Sequence, residues 1–354
     1  MAPEHWLRAA LAPSLAWGSA PLTTGVLRAT PEDFEVDEIL GFEPGGEGPH
    51  ALLRVRKRGA NTEWVARELA RAAGCKPFEV GFAGLKDRNA VTTQAFTVPR
   101  GKRPAEEFTG LAGEGYQVLS STAHQRKLPR GALAGNRFAI VVREVRCDAG
   151  ELGERIGAMS AGGVPNYFGP QRFGRDAGNL EQVMRAAQAL SAGGRGGSRG
   201  RPDQGFMLSA ARSVIFNAML AERIALGTWD RLLIGDVANL DGRGSVFAVP
   251  APDEELARRC AALEIHPTAP LVGSGESLAS GEVLELEQRV AAQFPEALAV
   301  VRSERMNTER RALRMRVRDL EHEYRDGVLR LRFALDAGSF ATAVLREIIA
   351  SEGE

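Results

Sequence analysis

The chain has 354 residues, and its 45 basic and 45 acidic side chains cancel to a net charge of zero. An apolar share of 44% supports a packed core and excludes a wholly disordered chain. The three cysteines lie far apart, which argues against a disulfide scaffold and is typical of a reducing compartment. No apolar run approaches the roughly 18 residues of a membrane span, and the N-terminus lacks the basic start of a signal peptide. We therefore expect a soluble, cytoplasmic protein.

The charges are segregated along the chain. Residues 1–50 carry two basic and eight acidic side chains, and residues 253–296 carry three basic and nine acidic side chains. Residues 120–150 carry six basic and two acidic side chains, whereas residues 302–318 carry seven arginines and two glutamates. The basic stretches either form ordinary solvated surface or gather into a face that attracts phosphate groups. Charge alone leaves both interpretations open.

The first part of the chain predicts mainly strands. Residues 25–40 predict two short strands around a Thr-Pro-Glu-Asp turn, and residues 50–57 predict another strand. Residues 61–74 predict a helix with an Asn or Thr cap at its start and a glycine at its end. Residues 78–83 predict a short strand, and strict alternation over 136–144 predicts a longer one.

The rest of the chain predicts a glycine-rich loop, two helices and a strand. A Gly/Arg segment at 193–201 predicts a mobile loop, and residues 206–226 predict a long helix. Near the end, alternation over 328–335 predicts a strand, which leads into a helix over 340–351 that Ser339 can cap. Strand-rich ends around a self-contained middle indicate a discontinuous domain with a second domain inserted into it.

The sequence contains none of the common catalytic motifs considered below. The five histidines are scattered, no two of them are four residues apart, and no CxxC occurs, so the sequence predicts no metal site. The glycines at 193–201 lack the GK[ST] of a Walker loop, and residues 271–277 do not form G-x-S-x-G. Cys75 precedes Lys76, which can lower the pKa of a thiol, although a buried structural thiol is commoner.

The segment with the clearest chemical content is GFAGLKDRNAVTTQ at 81–94. Asp87 lies between Lys86 and Arg88 in a glycine-led turn after a predicted strand. Neighbouring cations favour the ionised carboxylate, and an ionised carboxylate at the end of a strand can act as a nucleophile or a base. The plainer alternative is a solvated aspartate balanced by its neighbours, and charge alone favours that alternative.

The run AGLKDRNAVTTQ resembles the nucleophile loop of the TruD family, the tRNA pseudouridine-13 synthases. Further blocks follow in the family's order, so the resemblance extends from about residue 25 to residue 349. These blocks are ATPEDF at 29–34, RKLPRGALAGNRF at 126–138, VPNYFGPQRFG at 164–174, LSAARSVIFN at 208–217, GRGS at 242–245, LVGSGE at 271–276 and AGSFAT at 337–342.

The resemblance implies an α/β (α+β) fold. It implies a pseudouridine-synthase-like catalytic domain with a mixed, largely antiparallel sheet, and an inserted α/β TRUD domain. We assign residues 1–160 and 306–354 to the catalytic domain and residues 161–305 to the inserted one. The implied activity is the conversion of uridine 13 of tRNA to pseudouridine, an isomerisation that requires no cofactor and no metal. We take a monomer as the default state.

The resemblance also implies a set of site residues. Asp87 matches the family's catalytic aspartate, and Arg28 falls where the family has a basic partner for it, often lysine. In other pseudouridine synthases a tyrosine commonly stands at the position of Phe138, and a phenyl ring cannot move a proton, so we expect Phe138 to stack. Ordinary core packing is the alternative for the three rings, and a turn cap is the alternative for Asn136. The positions that match the uridine pocket are Phe34, Asn136, Phe138 and Phe340.

Two other functions remain as alternatives. One is a non-catalytic RNA-binding or RNA-folding protein with the same fold. The other is a carboxylate-dependent hydrolase or nuclease, for which no paired acid near Asp87 gives support. With tRNA as the substrate, the arginine-rich runs at 126–146, 195–201 and 302–318 are expected to hold the RNA backbone.

Overall fold

The computed structural model describes residues 2–193, 202–304 and 306–350. The Gly/Arg loop predicted at 193–201 therefore lies, except for its first residue, outside the described residues. The helices are α1 Glu4–Leu11, α2 Thr62–Ala73, α3 Ala149–Gly162, α4 Gly178–Ser191, α5 Pro202–Ala225, α6 Glu254–Ala261, α7 Gly281–Ala291, α8 Pro295–Ser303 and α9 Ala341–Leu345. The strands are β1 Thr23–Thr24, β2 Val26–Leu27, β3 Phe34–Leu40, β4 His50–Arg58, β5 Gly81–Phe82, β6 Val91–Pro99, β7 Ala112–Gly113, β8 Tyr116–His124, β9 Leu133–Arg143, β10 Val164–Pro165, β11 Asp236–Leu240, β12 Val246–Val249, β13 Ile265–Leu271, β14 Glu309–Ala312, β15 Arg314–Met315, β16 Arg318–Arg325, β17 Val328–Asp336 and β18 Ile349–Ala350.

The chain forms two compact units, each built from segments that are distant in sequence. The first, here called the sheet unit, combines Thr23–Leu152 with Arg318–Gly338. The second, here called the helical unit, combines the residues up to Leu22 with Gly153–Val317 and Ser339–Ile349.

These units divide the chain differently from the domains expected from the sequence. The expected catalytic domain, 1–160 with 306–354, includes both chain ends, whereas the compact units group the residues up to Leu22 and Ser339–Ile349 with the middle. The physical reason at the N-terminus is α1, because its Trp6 is fully buried and lies 5.5 Å from the ring of Phe294. The assignment of catalysis to 1–160 and 306–354, and of the insertion to 161–305, stays a prediction.

The sheet unit is built around a ten-stranded sheet with the order β16-β17-β9-β3-β6-β4-β8-β7, to which β2 and β5 add at β9 and β6. Every pairing in it is antiparallel except that of β3 with β6. The alternation predicted for β9 is confirmed, because Phe138, Ile140 and Val142 are all buried. The register places Phe138 opposite Val36 of β3 and Phe333 of β17.

Helix α2 has the limits that its sequence predicts. The side chain of Asn61 accepts a hydrogen bond from the backbone N–H of Glu63, and Gly74 ends the helix at a φ of 68°. Val65 and Leu69 are buried in a cluster with the inward-facing side chains of β4, β6 and β8. Burial of such side chains contributes roughly 1.5–3 kcal/mol each and fixes the helix on one face of the sheet.

The helical unit contains a four-stranded sheet with the order β12-β11-β13-β14, and its largest core lies among the helices. Helix α5 confirms the long helix predicted at 206–226 and supplies Ile215 and Phe216, both fully buried, to that core. Across the described ranges, no helix is both long enough and apolar enough to cross a membrane.

Two local predictions were wrong. The strand expected over 78–83 is only Gly81–Phe82, because Pro77–Glu79 forms a 3₁₀ turn before it. The helix expected after β17 is only α9, and Phe340 rather than Ser339 occupies its cap position. Burial raises the pKa of the Cys75 thiol, which agrees with the structural thiol favoured for this position.

Candidate active site

Asp87 lies in the loop between β5 and β6 of the sheet unit. Its side chain is 57% exposed. It borders an open depression of about 560 Å³ that is also lined by Arg28, Gly59, Arg88 and Asn89. The carboxylate therefore faces a space that can admit another molecule.

Arg28 connects this carboxylate to an aromatic ring. Its Nη2 donates a hydrogen bond to Oδ2 of Asp87 at 2.9 Å, and its Cζ lies 4.3 Å from the centroid of the Phe34 ring. The ring face attracts the guanidinium and limits its motion. The backbone of Arg28 has a φ of 57°, a left-handed conformation that a non-glycine residue adopts at some cost. The structure thus brings together Arg28, Phe34 and Asp87, which were predicted as site residues.

The two cations beside Asp87 in the sequence point elsewhere. Lys86 donates to Oε2 of Glu38 at 2.9 Å, and Arg88 donates to the carbonyl oxygen of Gly59 at 3.2 Å. Among the described residues, neither forms an ion pair with Asp87. The alternative in which Lys86 and Arg88 neutralise the charge of Asp87 was therefore wrong, because the ion pair of Asp87 is with Arg28.

A buried polar network fixes the loop that carries Asp87. Glu38 is 5% exposed, and its Oε1 accepts the backbone N–H of Ala95 at 3.1 Å while its Oε2 accepts from Lys86. The hydroxyl of Thr62 accepts the backbone N–H of Lys86 at 3.0 Å and donates to Gln94 at 3.0 Å. These bonds hold the backbone on the N-terminal side of Asp87.

Lys57 completes this support and was not predicted from the sequence. It is 1% exposed, and its Nζ donates to the carbonyl oxygens of Ala60, Lys86 and Asp87 at 2.9, 3.2 and 2.8 Å. Burial lowers the pKa of Lys57 to about 8; the charge of Asp87 raises it, and that of Lys86 lowers it further. A signal was present in β4, because Lys57 follows Val55 at the inward-facing position of the alternation.

A short 3₁₀ turn, Pro31–Asp33, lies between Arg28 and Phe34 in the sequence and is capped by the carboxylate of Asp33. The backbone N–H of Thr30 donates to Asp33 at 3.0 Å, and Arg143 donates to both carboxylate oxygens of Asp33 at 2.7 and 3.0 Å. The bonds from Arg143 lower the pKa of Asp33, which is 2% exposed. The bidentate pair ties the turn to β9.

The predicted pocket rings of the sheet unit are packed side chains. Phe34 and Phe138 are 5% and 7% exposed, and their rings meet edge to face with centroids 6.2 Å apart. Phe138 also stacks on Phe333 at 5.3 Å. The core-packing alternative describes the contacts of these rings, and a role for them in binding a base stays a prediction.

Asn136 lies within β9, opposite Glu38 of β3 and Leu335 of β17. A residue in the middle of a paired strand cannot cap a turn, so that alternative was wrong. Within the part of the chain that the structure describes, its buried Oδ1 has no hydrogen-bond donor. A buried acceptor without a donor suits recognition of an N–H group.

Phe340 belongs to the helical unit. It is half-buried, and its ring lies 6.1 Å from that of Phe168 and 5.9 Å from the guanidinium of Arg172. Its predicted role in the uridine pocket stays a prediction.

The arginine-rich runs are not uniformly available for RNA. Arg310 pairs with Glu287 at 2.7 Å with both side chains buried, and Arg314 is 3% exposed and donates to His266. The expectation that each run holds the RNA backbone was therefore wrong for these two positions, since they stabilise the helical unit. Arg126 and Arg146 of the first run are exposed, and residues 195–201 lie outside the described residues.

Comparisons with known proteins agree over nearly the whole chain. A family model described as tRNA pseudouridine synthase D (TruD) matches residues 15–186 and 204–348. The tRNA pseudouridine synthase D of Methylococcus capsulatus is 46% identical over 326 residues, which cover 92% of this chain and 91% of that protein. That of Xanthomonas campestris pv. campestris is 45% identical over 343 residues, which cover 94% and 93%. A solved structure from Methanosarcina mazei that carries the same family name has a TM-score of 0.71 over 98% of both chains at 22% identity, which shows the same fold and confirms the α+β class.

Proposed function

Because the chain belongs to the tRNA pseudouridine synthase D (TruD) family, we propose that it converts uridine 13 of tRNA to pseudouridine with Asp87 as the reacting carboxylate. Pseudouridine synthases are isomerases, so the class of enzyme follows from the family. The observation that carries the proposal for Asp87 is its exposed carboxylate, held by Arg28 at 2.9 Å beside an open depression.

The reaction defines what the site must supply. The N1–C1′ bond of uridine breaks, the uracil turns, and C5 bonds to C1′; C5 then loses a proton and N1 gains one. Atoms and electrons balance within the nucleotide, so the chemistry calls for a nucleophile or base and for proton transfer. A carboxylate can attack C1′, attack C6 of the ring, or remove a proton from C2′. An exposed Asp87 carboxylate is compatible with each of these routes.

The surroundings of Asp87 suit a group that must be ready before the substrate arrives. Arg28 restrains the carboxylate from one side, while Lys57 holds the backbone of the same residue from behind at 2.8 Å. Fixing a reacting group in advance removes part of the entropy that would otherwise be lost at the transition state. The polar network around Thr62 and Glu38 has the same effect on the loop.

The substrate base must leave its stack to reach such a site. Stacking on an aromatic or guanidinium surface recovers about 1–3 kcal/mol per base. Phe34 with its covering Arg28, Phe138 and Phe340 are the proposed surfaces, and Asn136 is proposed to recognise the edge of the uracil. The unpartnered Oδ1 of Asn136 supports this role, since the N3–H of uracil is a donor.

The test uses purified full-length protein and an unmodified tRNA transcript. Carbodiimide-stop sequencing is expected to show one new pseudouridine at position 13, with the mass of the tRNA unchanged. A transcript with cytidine at position 13 is the matched substrate control and should give no signal. Binding without modification would favour the non-catalytic alternative, and strand cleavage would favour the hydrolase; either result overturns the proposal.

The role of Asp87 is tested with a matched pair of variants. Asp87→Asn is expected to abolish the signal. Asp326→Asn changes an aspartate that is 85% exposed in the turn after β16 and should leave the signal unchanged. Equal yields from Asp87→Asn and the wild type would remove Asp87 from the reaction.

A further inference from the structure

Two arginines of the helical unit lie close to the same aromatic ring. The Cζ of Arg311, on β14, lies 4.2 Å from the centroid of Phe168, and the Cζ of Arg172 lies 5.2 Å from the same centroid. Arg172 also lies 5.9 Å from the centroid of Phe340. Both arginines are half-buried. We refer to Arg172 and Arg311 as the arginine pair.

The hydrogen bonds around the pair orient both guanidinium groups. Arg311 donates from Nε to the carbonyl oxygen of Asn166 at 3.2 Å and from Nη2 to the side-chain oxygen of the same residue. Arg172 donates from Nη1 to the hydroxyl of Ser209 at 2.8 Å. The acceptor of Arg172 is neutral, so it positions that cation without cancelling its charge.

The ring of Phe168, which both arginines approach, is itself fixed. The side chain of Asn217 accepts the backbone N–H of Phe168 at 3.0 Å and donates to its carbonyl oxygen at 3.0 Å. Phe168 also meets Phe216 edge to face at 5.6 Å. Three of the sequence blocks that carry the family resemblance thus contribute to one cluster, through Phe168, Phe216 and Phe340.

Two buried arginines of the helical unit have carboxylate partners. Arg223 pairs with Asp236 at 2.9 Å, and Arg310 pairs with Glu287 at 2.7 Å. Arg172 differs, because no carboxylate of the described residues lies within ion-pair distance of it. Burial lowers the pKa of Arg172, whereas the pKa of Arg311 falls to about 9 through burial and then through the charge of Arg172. The charge of Arg172 therefore lies in a partly desolvated place beside a second cation, and an anion would stabilise it.

We propose that the arginine pair is a phosphate subsite that binds one backbone phosphate of the tRNA. The inference rests on the proposed function, since it takes tRNA as the substrate. Guanidinium groups match phosphate oxygens through paired hydrogen bonds. The half-buried ring of Phe340 beside Arg172 adds a flat apolar surface, and a nucleotide presents an anion and a flat ring together. This combination favours a nucleic-acid phosphate over an isolated small anion.

The experiment measures tRNA affinity as a function of salt concentration. Loss of one phosphate contact is expected to reduce the slope of log K against log salt by about one. Arg172→Gln should show this reduction and weaken binding about tenfold at low salt. Arg172→Lys retains the charge and should keep the wild-type slope with an intermediate affinity. Arg185→Gln is the matched control, since this arginine is exposed on α4 and its loss should leave affinity within about twofold.

Several outcomes would overturn the inference. One is a wild-type slope for Arg172→Gln, and another is an equal loss of slope in Arg172→Lys, which would indicate a purely structural role. Arg172→Lys also provides the test if the glutamine variant fails to fold. Inorganic phosphate alone is the second probe: if it raises the Tm of the wild type but not of Arg172→Gln while the tRNA slopes stay equal, the subsite takes a free anion. Failure of the proposed function is distinguishable, because no pseudouridine would then form, whatever salt dependence the binding of tRNA shows.

Discussion

Replacement of Lys57 by methionine tests the support beneath the Asp87 loop. Methionine fills a similar volume but donates no hydrogen bond, so the carbonyl oxygens of Ala60, Lys86 and Asp87 lose their common donor. A buried polar group without a partner costs about 1–3 kcal/mol. We expect Lys57→Met to lower the free energy of unfolding by about 3 kcal/mol at pH 7 and to reduce turnover, because the Asp87 backbone is no longer held.

The same residue predicts a pH dependence. The pKa of Lys57 falls from 10.5 to about 8 on folding, so between these values the unfolded chain binds more protons than the folded one. The contribution of Lys57 to stability therefore rises with pH in this window. The difference in unfolding free energy between the wild type and Lys57→Met should grow by about 2 kcal/mol between pH 7.5 and 9.5.

Urea denaturation of both proteins at several pH values measures this difference directly. Lys57→Arg is the matched control, since arginine keeps its charge over the whole range. The difference between Lys57→Arg and Lys57→Met should not vary with pH. If the difference between the wild type and Lys57→Met stays constant within about 0.5 kcal/mol from pH 7.5 to 9.5, burial does not lower the pKa of Lys57 and the reasoning is refuted.

Three further predictions concern the same unit and can be checked by denaturation. Glu38→Gln leaves the buried ammonium of Lys86 without its carboxylate and should cost about 3 kcal/mol, and a loss under 1 kcal/mol would contradict the buried pair. Asp33→Asn removes the pair with Arg143. Because the folded pKa of Asp33 is lowered, the stabilisation by its carboxylate is full above pH 3.8 and disappears as the pH falls through the folded pKa. The difference in unfolding free energy between the wild type and Asp33→Asn should therefore become smaller in acid. Phe138→Ala removes a ring from a packed cluster and should cost about 3–5 kcal/mol, whereas a negligible cost would show that the ring projects into open space.

The sequence predicts those elements whose determinants are local. The limits of α2 follow from Asn61 and Gly74, which act within one turn of the helix ends. Strands β9 and β17 follow from alternation that is complete within each segment. The helix after β17 is shorter than expected, because periodicity alone does not show where a helix ends.

The candidate site is harder to predict because it is assembled from distant segments. Nothing near residue 87 indicates that its ionic partner is Arg28 or that Lys86 turns to Glu38; the resemblance, not the local pattern, suggested the first of these contacts. Lys57 was missed although its position in β4 faces inward. A charged residue at a buried position of a strand is a usable signal, since a buried ammonium must find acceptors.

The arginine-rich runs show the limit of charge counting. Arg310, in one of these runs, pairs with the carboxylate of Glu287, whereas Arg172, outside the runs, donates to a hydroxyl. Only the three-dimensional arrangement separates an arginine that stabilises the fold from one whose charge is still available.

The most direct measurement of the central claim is single-turnover pseudouridine formation by Asp87→Asn, with tRNA affinity determined on the same preparation. Asparagine preserves the size of the side chain and removes its charge and nucleophilicity. We predict a rate at least roughly 10³-fold below that of the wild type, with tRNA affinity within about threefold. A rate within about tenfold of the wild type at equal affinity would contradict the claim that this carboxylate performs the reaction.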